Sequence, residues 1–262
     1  MLLAVDIGNS SIKFGIFDRI SLIHKFSVAT KLDYTANELI FDRFHVLDET
    51  FIQLKFTSAI VVSVVPELND VIAEVCLELF KVRAVFVDHT LDLGMPIDYD
   101  PPSSLGADRL VSAFSAKELY GPPAIVCSFG TATTIDLVDA KGTFRGGMIT
   151  PGMGTMAASL HSRTAKLPYV HIQRPEGVVQ RSTDAAIMSG VYNGHAAMAS
   201  GLIELVRAEY YAANPGSSPI KAIATGGFAG LLSRDVESFD LVDENLTLSG
   251  LRLVAIRIGH PI

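Results

Sequence analysis

The chain has 262 residues and a formal net charge of −7 at pH 7; hydrophobic residues make up 49% and charged residues 19%. These proportions are typical of a globular protein with a large core, and the length allows one large or two ordinary domains. The acidic balance argues against a broad nucleic-acid or anionic-membrane surface, so an anionic ligand must be met by local donors. The opening residues lack signal-peptide features, and no apolar run approaches the roughly 20 residues that span a bilayer. We therefore expect a soluble, cytoplasmic protein, in which Cys76 and Cys127, both in apolar segments, are buried free thiols.

The first segment, residues 2–18, predicts a strand, a tight polar turn and a second strand. An apolar run contains Asp6 near its end, the turn spans Gly8 to Ser11, and alternation resumes at Ile12. Such a turn offers backbone N–H groups and small hydroxyls to a phosphate. Asp6 can hold a phosphate-bound metal ion, and Lys13 adds a compact positive charge.

A second segment, residues 126–136, repeats this pattern, with Gly130 in the position of Gly8. Either turn alone is explained equally well as a plain glycine-containing hairpin. Their repetition about half a chain apart favours two copies of one supersecondary plan. We therefore predict two domains, residues 1–117 and 118–262.

The remaining predicted elements alternate between strands and helices. Strands are predicted at 21–29, 57–65, 83–87 and 221–225, and helices at 34–46, 66–79, 105–120, 156–167, 184–211, from 228, and 246–258. A strand, a helix and a strand in succession imply a parallel crossover, so the first half is expected to be a mixed sheet with helices on its faces. The predicted fold class is α/β.

Three stretches rich in small residues leave alternatives open. The glycine-rich residues 144–154 indicate close approach of the backbone to a ligand or to a neighbouring strand. Gly226-Gly227 forms a turn that either passes beneath an adenine or ribose or simply precedes a helix. The helix at 184–211 has a small-residue face that includes Gly190, Gly194 and Gly201, which suits packing on another helix within the chain or across a dimer interface.

Gly106 to Arg109 lies at the start of the predicted helix 105–120. The first turn of a helix presents free N–H groups and a partial positive charge to anions. Asp108 and Arg109 can therefore act on a bound ligand. A capping Asp followed by a solvated Arg explains the same residues.

Taken together, these motifs resemble the type III pantothenate kinases of the actin-like ATPase superfamily. The resemblance covers nearly the whole chain, and the motifs that carry it are Asp6-Ile7-Gly8-Asn9-Ser10, Gly106-Ala107-Asp108-Arg109, Phe129-Gly130-Thr131-Ala132-Thr133-Thr134, Gly146-Gly147-x-Ile149-x-Pro151-Gly152, Ala165-Lys166-Leu167-Pro168, Thr225-Gly226-Gly227 and Thr247-Leu248-x-Gly250-Leu251. The resemblance implies two similar actin/RNase H-like domains, each a mixed sheet flanked by helices, with an ATP cleft between them.

The resemblance also implies an activity, namely ATP-dependent phosphorylation of pantothenate to 4′-phosphopantothenate, the first step of coenzyme A biosynthesis, by a homodimer. The residues implied to hold ATP are Asp6, Ile7, Gly8, Asn9, Ser10, Ser11, Ile12, Lys13 and Thr131. The residues implied to contact pantothenate are Tyr99, Gly106, Ala107, Asp108, Arg109 and Thr183. Asp108 would be the base toward the pantothenate hydroxyl, and Asp6 would orient Mg²⁺.

The chain departs from the family pattern at three places. Ser128 stands where the family usually has the Asp that binds a monovalent cation, K⁺ or NH₄⁺, so we expect weak cation binding and assign no metal ligand here. Pro101, Pro102 and Ser104 replace a loop that commonly carries Asn-Pro and Glu, and Gln180 replaces a common Gly.

Two alternatives remain beside this kinase. One is a non-catalytic relative that binds nucleotide and acts as a regulator; retention of Asp108, Arg109, Tyr99 and Thr183 disfavours it. The other is a different small-molecule kinase of the superfamily, such as a sugar or acetate kinase, which the short length and the Gly-Ala-Asp-Arg helix start disfavour.

Overall fold

The structure, a computed structural model, describes residues 1–41 and 54–261. In chain order its strands are β1 (Leu2–Ile7), β2 (Ser11–Asp18), β3 (Ser21–Ala29), β4 (Ser58–Ser63), β5 (Ala84–Phe86), β6 (Ala124–Phe129), β7 (Ala132–Val138), β8 (Phe144–Pro151), β9 (Lys221–Thr225) and β10 (Leu241–Val242). Its helices are α1 (Ala36–Leu39), α2 (Asn69–Glu78), α3 (Ala107–Tyr120), α4 (Met153–Arg163), α5 (Thr183–Ala213), α6 (Ala229–Leu232) and α7 (Leu246–Arg257).

These elements form two compact units. The first contains Met1–Met95, Asp100–Glu118 and Leu246–Ile262, and the second contains Pro96–Tyr99 and Leu119–Asn245. The predicted division into domains 1–117 and 118–262 stays a prediction. The grouping of contacts differs from it mainly in placing α7 with the first unit.

The first unit contains a five-stranded sheet in the order β3-β2-β1-β4-β5. The β1–β2 and β2–β3 pairs are antiparallel, and the β1–β4 and β4–β5 pairs are parallel. All six residues of the central strand β1 are buried, as expected for a strand with neighbours on both edges and both faces covered. Helices α3 and α7 pack closely within this unit at Gly250. A Cβ at that position would lie only 2.7 Å from the Val111 carbonyl oxygen, so the contact has no room for a side chain.

The second unit repeats this plan in a sheet ordered β10-β9-β6-β7-β8. The hairpin pairs β6–β7 and β7–β8 are antiparallel, and β6–β9 and β9–β10 are parallel. The central β6 therefore corresponds to β1, and the hairpin β6–β7 corresponds to β1–β2. This correspondence confirms the two copies of a mixed sheet flanked by helices that the repeated turn predicts.

Most predicted elements are present, with a few differences. The helix expected at 156–167 is instead α4, which starts at Met153 because the Gly152 carbonyl accepts the first helical hydrogen bond, from Met156 N–H, at 2.9 Å. Strands β8 and β10 were not predicted. The helix predicted at 34–46 falls partly outside the described residues; within the described part, 34–41, α1 spans Ala36–Leu39.

Both cysteines are free and buried, as predicted. Burial raises the pKa of the Cys76 thiol to about 12 and raises that of Cys127 as well. Both thiols are therefore inert as nucleophiles near neutral pH.

The small-residue face of α5 is exposed. Gly190, Gly194 and Gly201 are accessible to solvent, and beyond the adjacent backbone of α5 itself a Cβ added at any of them would meet no described atom within 4 Å. Within the part of the chain that the structure describes, these three glycines are therefore not packed against a second helix, whereas other small residues of α5, Ser189 and Ala196 among them, are buried. No described helix combines the length and the apolar character needed to cross a membrane.

Candidate active site

The first turn joins β1 to β2 and has an exposed tip. The Gly8 N–H donates to the Ser11 carbonyl at 3.1 Å, so it closes the turn. Thr30 braces the turn, since its hydroxyl donates to the Gly8 carbonyl at 2.6 Å and its N–H donates to the Ser10 carbonyl at 3.2 Å. Asn9 and Ser10 are exposed. Asn9 and Ser10 at the tip are thus accessible to a ligand, while the hydrogen bonds from Thr30 hold the backbone of the turn in place.

The second turn, between β6 and β7, is similar but one residue tighter. The Gly130 N–H donates to the Ala132 carbonyl at 3.0 Å. The carbonyl of the exposed Thr131 accepts hydrogen bonds from the Gly152 N–H at 2.9 Å and from the Thr155 hydroxyl at 2.6 Å. The expectation that the first turn offers its backbone N–H groups to a phosphate is therefore wrong at Gly8, and the Gly130 N–H is likewise used inside its own turn.

Backbone packing within the second unit explains some glycines of the other two clusters. Gly147 in β8 lies directly against the Ile135 carbonyl oxygen of β7, which leaves no room for a Cβ. Gly226 has a φ of +93°, and a Cβ there would lie 2.6 Å from the Phe129 carbonyl oxygen. Of the alternatives for residues 144–154, a neighbouring strand is thus the one that the structure supports at Gly147.

An ion pair lies at the end of β1, beside the first turn. Asp6 and Lys13 are direct neighbours in the β1–β2 register, and Lys13 Nζ lies 3.1 Å from Asp6 Oδ2. Asp6 is buried, whereas more than a third of the Lys13 side chain is exposed. Ile7 and Ile12, the next pair in the register, are fully buried, so their side chains belong to the core and only their backbone can meet a ligand.

Asp108 lies in the first turn of α3, within the same unit as Asp6. Burial, and then the negative charge of Asp6, raise the pKa of the Asp108 carboxyl, while the Arg109 N–H and the Arg109 charge oppose this rise. That N–H donates to Asp108 Oδ1 at 2.8 Å. Two carboxylates far apart in sequence are therefore brought within electrostatic reach of each other, which is typical of functional sites.

The other residues of the 106–109 motif take different positions. Gly106 lies against Asp108, since a Cβ there would be 2.7 Å from Asp108 Oδ1. Ala107 is partly buried, and Arg109 is buried with 6% exposure. The alternative of a solvated Arg is therefore not supported.

Tyr99 belongs to the second unit, where the segment 96–99 pairs with the start of β8. The Phe144 N–H donates to the Pro96 carbonyl at 2.9 Å, and the Asp98 N–H donates to the Phe144 carbonyl at 2.9 Å. The Tyr99 ring contacts the Phe144 ring edge-on, with centroids 5.9 Å apart. It also covers Gly146, where a Cβ would lie 3.4 Å from the ring.

Thr183 and Ser128 also lie in the second unit. Thr183 is the exposed first residue of α5, and Ser182 caps the helix by accepting from the Ala185 N–H at 3.4 Å. Ser128 is partly buried and pairs with Thr134 of β7 and Thr225 of β9.

A buried polar face, which sequence reasoning missed, surrounds Ser128. Its other members are Thr134, Thr225 and, two residues along β7, Asp136, which is 2% exposed. The available signal was the alternation of strand residues, which places positions 134 and 136 on one face of the sheet.

Comparison with known proteins places this architecture in a class. A protein assigned to the Baf family of transcriptional activators, from Campylobacter jejuni, superposes with a TM-score of 0.56 at 18% identity and covers 98% of each chain. The ethanolamine utilization protein EutJ from Carboxydothermus hydrogenoformans gives a TM-score of 0.55 at 15% identity, over 96% of this chain and 89% of that one. At such identities the likeness concerns the fold alone. With the duplicated sheets, it defines an actin-like ATPase fold.

Sequence comparison then gives the family. The family model of type III pantothenate kinase matches residues 2–205. A type III pantothenate kinase from Citrifermentans bemidjiense is 37% identical over 97% of this chain and 98% of its own length, and one from Paramagnetospirillum magneticum is 38% identical over 100% and 99%. The chain belongs to the type III pantothenate kinase family, as its motifs predicted.

Proposed function

We propose that this chain transfers the γ-phosphoryl group of ATP to the hydroxyl of pantothenate, forming 4′-phosphopantothenate for coenzyme A synthesis. The observation that carries the proposal is the position of Asp108, held at the start of α3 within electrostatic reach of Asp6, beside the first turn. Both the family model and the curated relatives agree with this activity.

The proposed ATP residues are Asp6 to Lys13 and Thr131, and they act mainly through position and charge. The exposed tip formed by Asn9 and Ser10 offers donors to the phosphates, and Lys13 supplies a positive charge. Thr131 is an exposed residue of the second turn. Phosphoryl transfer depends mostly on such positioning and on neutralisation of charge, so fixed turns suit it.

Asp108 is proposed as the general base. A carboxylate near the attacking hydroxyl accepts its proton as the bond to phosphorus forms. The raised pKa of Asp108 increases its proton affinity and thus suits the role. Pantothenate would also meet Tyr99, Gly106, Ala107, Arg109 and Thr183, of which Tyr99 is fixed by its contacts with β8.

Mg²⁺ fits the donors of the first unit. Asp6 provides a hard oxygen ligand, and Mg²⁺ is commonly held by one or two carboxylates together with substrate phosphates. Among the described residues, no group of three or more His, Cys, Asp or Glu side chains is arranged to hold a metal ion. When bound, the ion would neutralise phosphate charge.

A monovalent cation fits less well. Ser128 offers a hydroxyl dipole in place of a full charge, and its strand neighbours Thr134 and Thr225 also offer hydroxyls. Asp136 is the one carboxylate of this polar face. We therefore propose a reduced requirement for K⁺ or NH₄⁺.

A homodimer and a cytoplasmic location complete the proposal. The exposed small-residue face of α5, with Gly190, Gly194 and Gly201, would allow close approach of a second copy. The buried free thiols of Cys76 and Cys127 suit a reducing compartment.

The activity is tested by incubating the purified chain with ATP, Mg²⁺ and a panel of acceptors, with products identified by mass spectrometry. We expect ADP and phosphorylated pantothenate, with sugars and acetate left unmodified. Nucleotide binding without transfer to any acceptor would favour the non-catalytic regulator, and transfer to a sugar or acetate would favour a different kinase.

A further inference from the structure

A buried histidine lies against the second turn and has no role in the proposed reaction. His195, in the middle of α5, is 1% exposed. Its Nε2 lies 2.8 Å from the hydroxyl oxygen of Thr133. Its ring contacts the Phe129 ring edge-on, with centroids 5.9 Å apart and planes at 72°.

These two contacts fall on the pair of residues that closes the turn. Phe129 and Thr133 are directly opposite each other in the β6–β7 register, and Gly130, Thr131 and Ala132 lie between them. Phe129 and Thr133 are each 1% exposed. His195 therefore contacts the residues at both ends of the turn from the core side, while Thr131 at the tip of the turn remains exposed.

The surroundings of His195 make a purely space-filling role a poor explanation. Its neighbours on the inner face of α5, such as Val191, Ala199 and Ile203, belong to an apolar core cluster. Burial lowers the pKa of the imidazole, so the ring is neutral near pH 7. Its Nδ1 has no hydrogen-bond partner among the described residues. A polar ring with an unsatisfied nitrogen is less stabilising in such a core than an apolar side chain of similar size.

We propose that His195 is a positioning residue for the second turn: through its hydrogen bond to Thr133 and its contact with Phe129, it holds Gly130 to Ala132 in the conformation that binds the phosphates of ATP. This proposal rests on the proposed function, because it assumes that the turn meets nucleotide. It also assigns a use to the inward-facing hydroxyl of Thr133, which is too deeply buried to meet a ligand itself.

The test uses paired substitutions that keep or remove the hydrogen bond. His195→Gln places an amide nitrogen near the position of Nε2, whereas the shorter His195→Asn does not reach Thr133. Thr133→Ser keeps the hydroxyl, whereas Thr133→Val removes it with little change in shape. Each variant is compared with the unaltered chain by melting temperature and by calorimetric titration with a non-hydrolysable ATP analogue and Mg²⁺.

We expect His195→Asn and Thr133→Val to weaken nucleotide binding by about tenfold, the effect of one well-placed hydrogen bond. His195→Gln and Thr133→Ser should stay within about threefold of the unaltered chain, since one hydrogen bond is retained. The double variant, His195→Asn with Thr133→Val, should bind nucleotide no more weakly than either single variant, because both substitutions remove the same hydrogen bond. In kinetics the loss should fall on KM for ATP and leave KM for pantothenate unchanged.

Lower melting temperatures with unchanged nucleotide affinity would overturn the proposal and leave His195 a structural residue. Independent, additive losses in the double variant would also overturn it. Binding of the analogue is measured without turnover, so the two proposals can fail separately. A chain that binds the analogue but does not phosphorylate pantothenate would refute the proposed function, and the binding data would still test the role of His195. Failure of the unaltered chain to bind nucleotide would refute both.

Discussion

Replacement of Asp108 by Asn tests the proposed base. Asn keeps an oxygen that can accept the 2.8 Å hydrogen bond from the Arg109 N–H, so the start of α3 should be preserved. The variant loses the negative charge of the carboxylate and with it the ability to accept a proton. A positioned general base contributes roughly 10²–10⁴-fold to rate, or about 2.7–5.4 kcal/mol of barrier, so turnover should fall by that factor while ATP affinity changes by a few-fold at most.

The same variant makes a prediction about stability. Because burial and Asp6 raise the pKa of Asp108 above its unfolded value of 3.8, ionisation of this carboxyl costs folding free energy at neutral pH. The Asn variant should therefore melt at an equal or higher temperature at pH 7. The difference should shrink as the pH falls through the folded pKa and vanish below 3.8, where Asp108 is protonated in both states.

Turnover is measured by an assay coupled to ADP release at saturating ATP, and melting temperatures are recorded from about pH 3, below the ordinary pKa of an Asp carboxyl, to about pH 8. Asp70→Asn is a matched control, because Asp70 is an exposed carboxylate in the first turn of another helix, α2. Near-normal turnover in a folded Asp108→Asn variant, with the Asp70→Asn control also active, would refute the role of Asp108 as base.

Three further substitutions test other parts of the proposal. Gly130→Val should weaken ATP binding by roughly tenfold or more. Its melting temperature should change little, because a Cβ at Gly130 meets only the Ala132 carbonyl, at 3.7 Å. Gly8→Val should weaken ATP binding similarly but lower the melting temperature more, since a Cβ there would lie 3.2 Å from the Ser11 carbonyl. Equal losses of fold and binding would favour plain structural turns. Gly194→Leu should produce a monomer in sedimentation and lower pantothenate affinity, and a variant that stays dimeric would place the interface elsewhere. Activity of the unaltered chain in Na⁺ should approach that in K⁺, and Ser128→Asp should restore a stronger K⁺ requirement; an unaltered chain that is inert without K⁺ or NH₄⁺ would contradict this.

The duplicated fold was predictable because its signals are local. Each hairpin has an apolar run, a glycine turn and a second apolar run, and the repetition of Gly8 at Gly130 reveals the duplication without any knowledge of distant contacts. The N-terminus of α5 was likewise predictable from Ser182, which is a strong N-cap residue.

Other features depend on tertiary packing and left weaker signals. The proximity of Asp6 and Asp108 follows from how α3 packs within the first unit, across about a hundred residues of chain. The glycines of residues 144–154 hid strand β8, because glycine is uncommon in strands. Gly147 is needed there because it lies against Ile135 of the neighbouring strand β7, which the sequence does not reveal. His195 appears in the sequence as one polar residue in a long helix, and only the structure places it against Thr133.

The most direct measurement is transfer of label from γ-labelled ATP to pantothenate by the purified chain, with the product identified by mass spectrometry and Asp108→Asn assayed in parallel. We predict one labelled product, 4′-phosphopantothenate, formed with release of ADP and almost abolished in the variant. Nucleotide binding without label in pantothenate, in the presence of Mg²⁺ and either K⁺ or Na⁺, would contradict the proposed function.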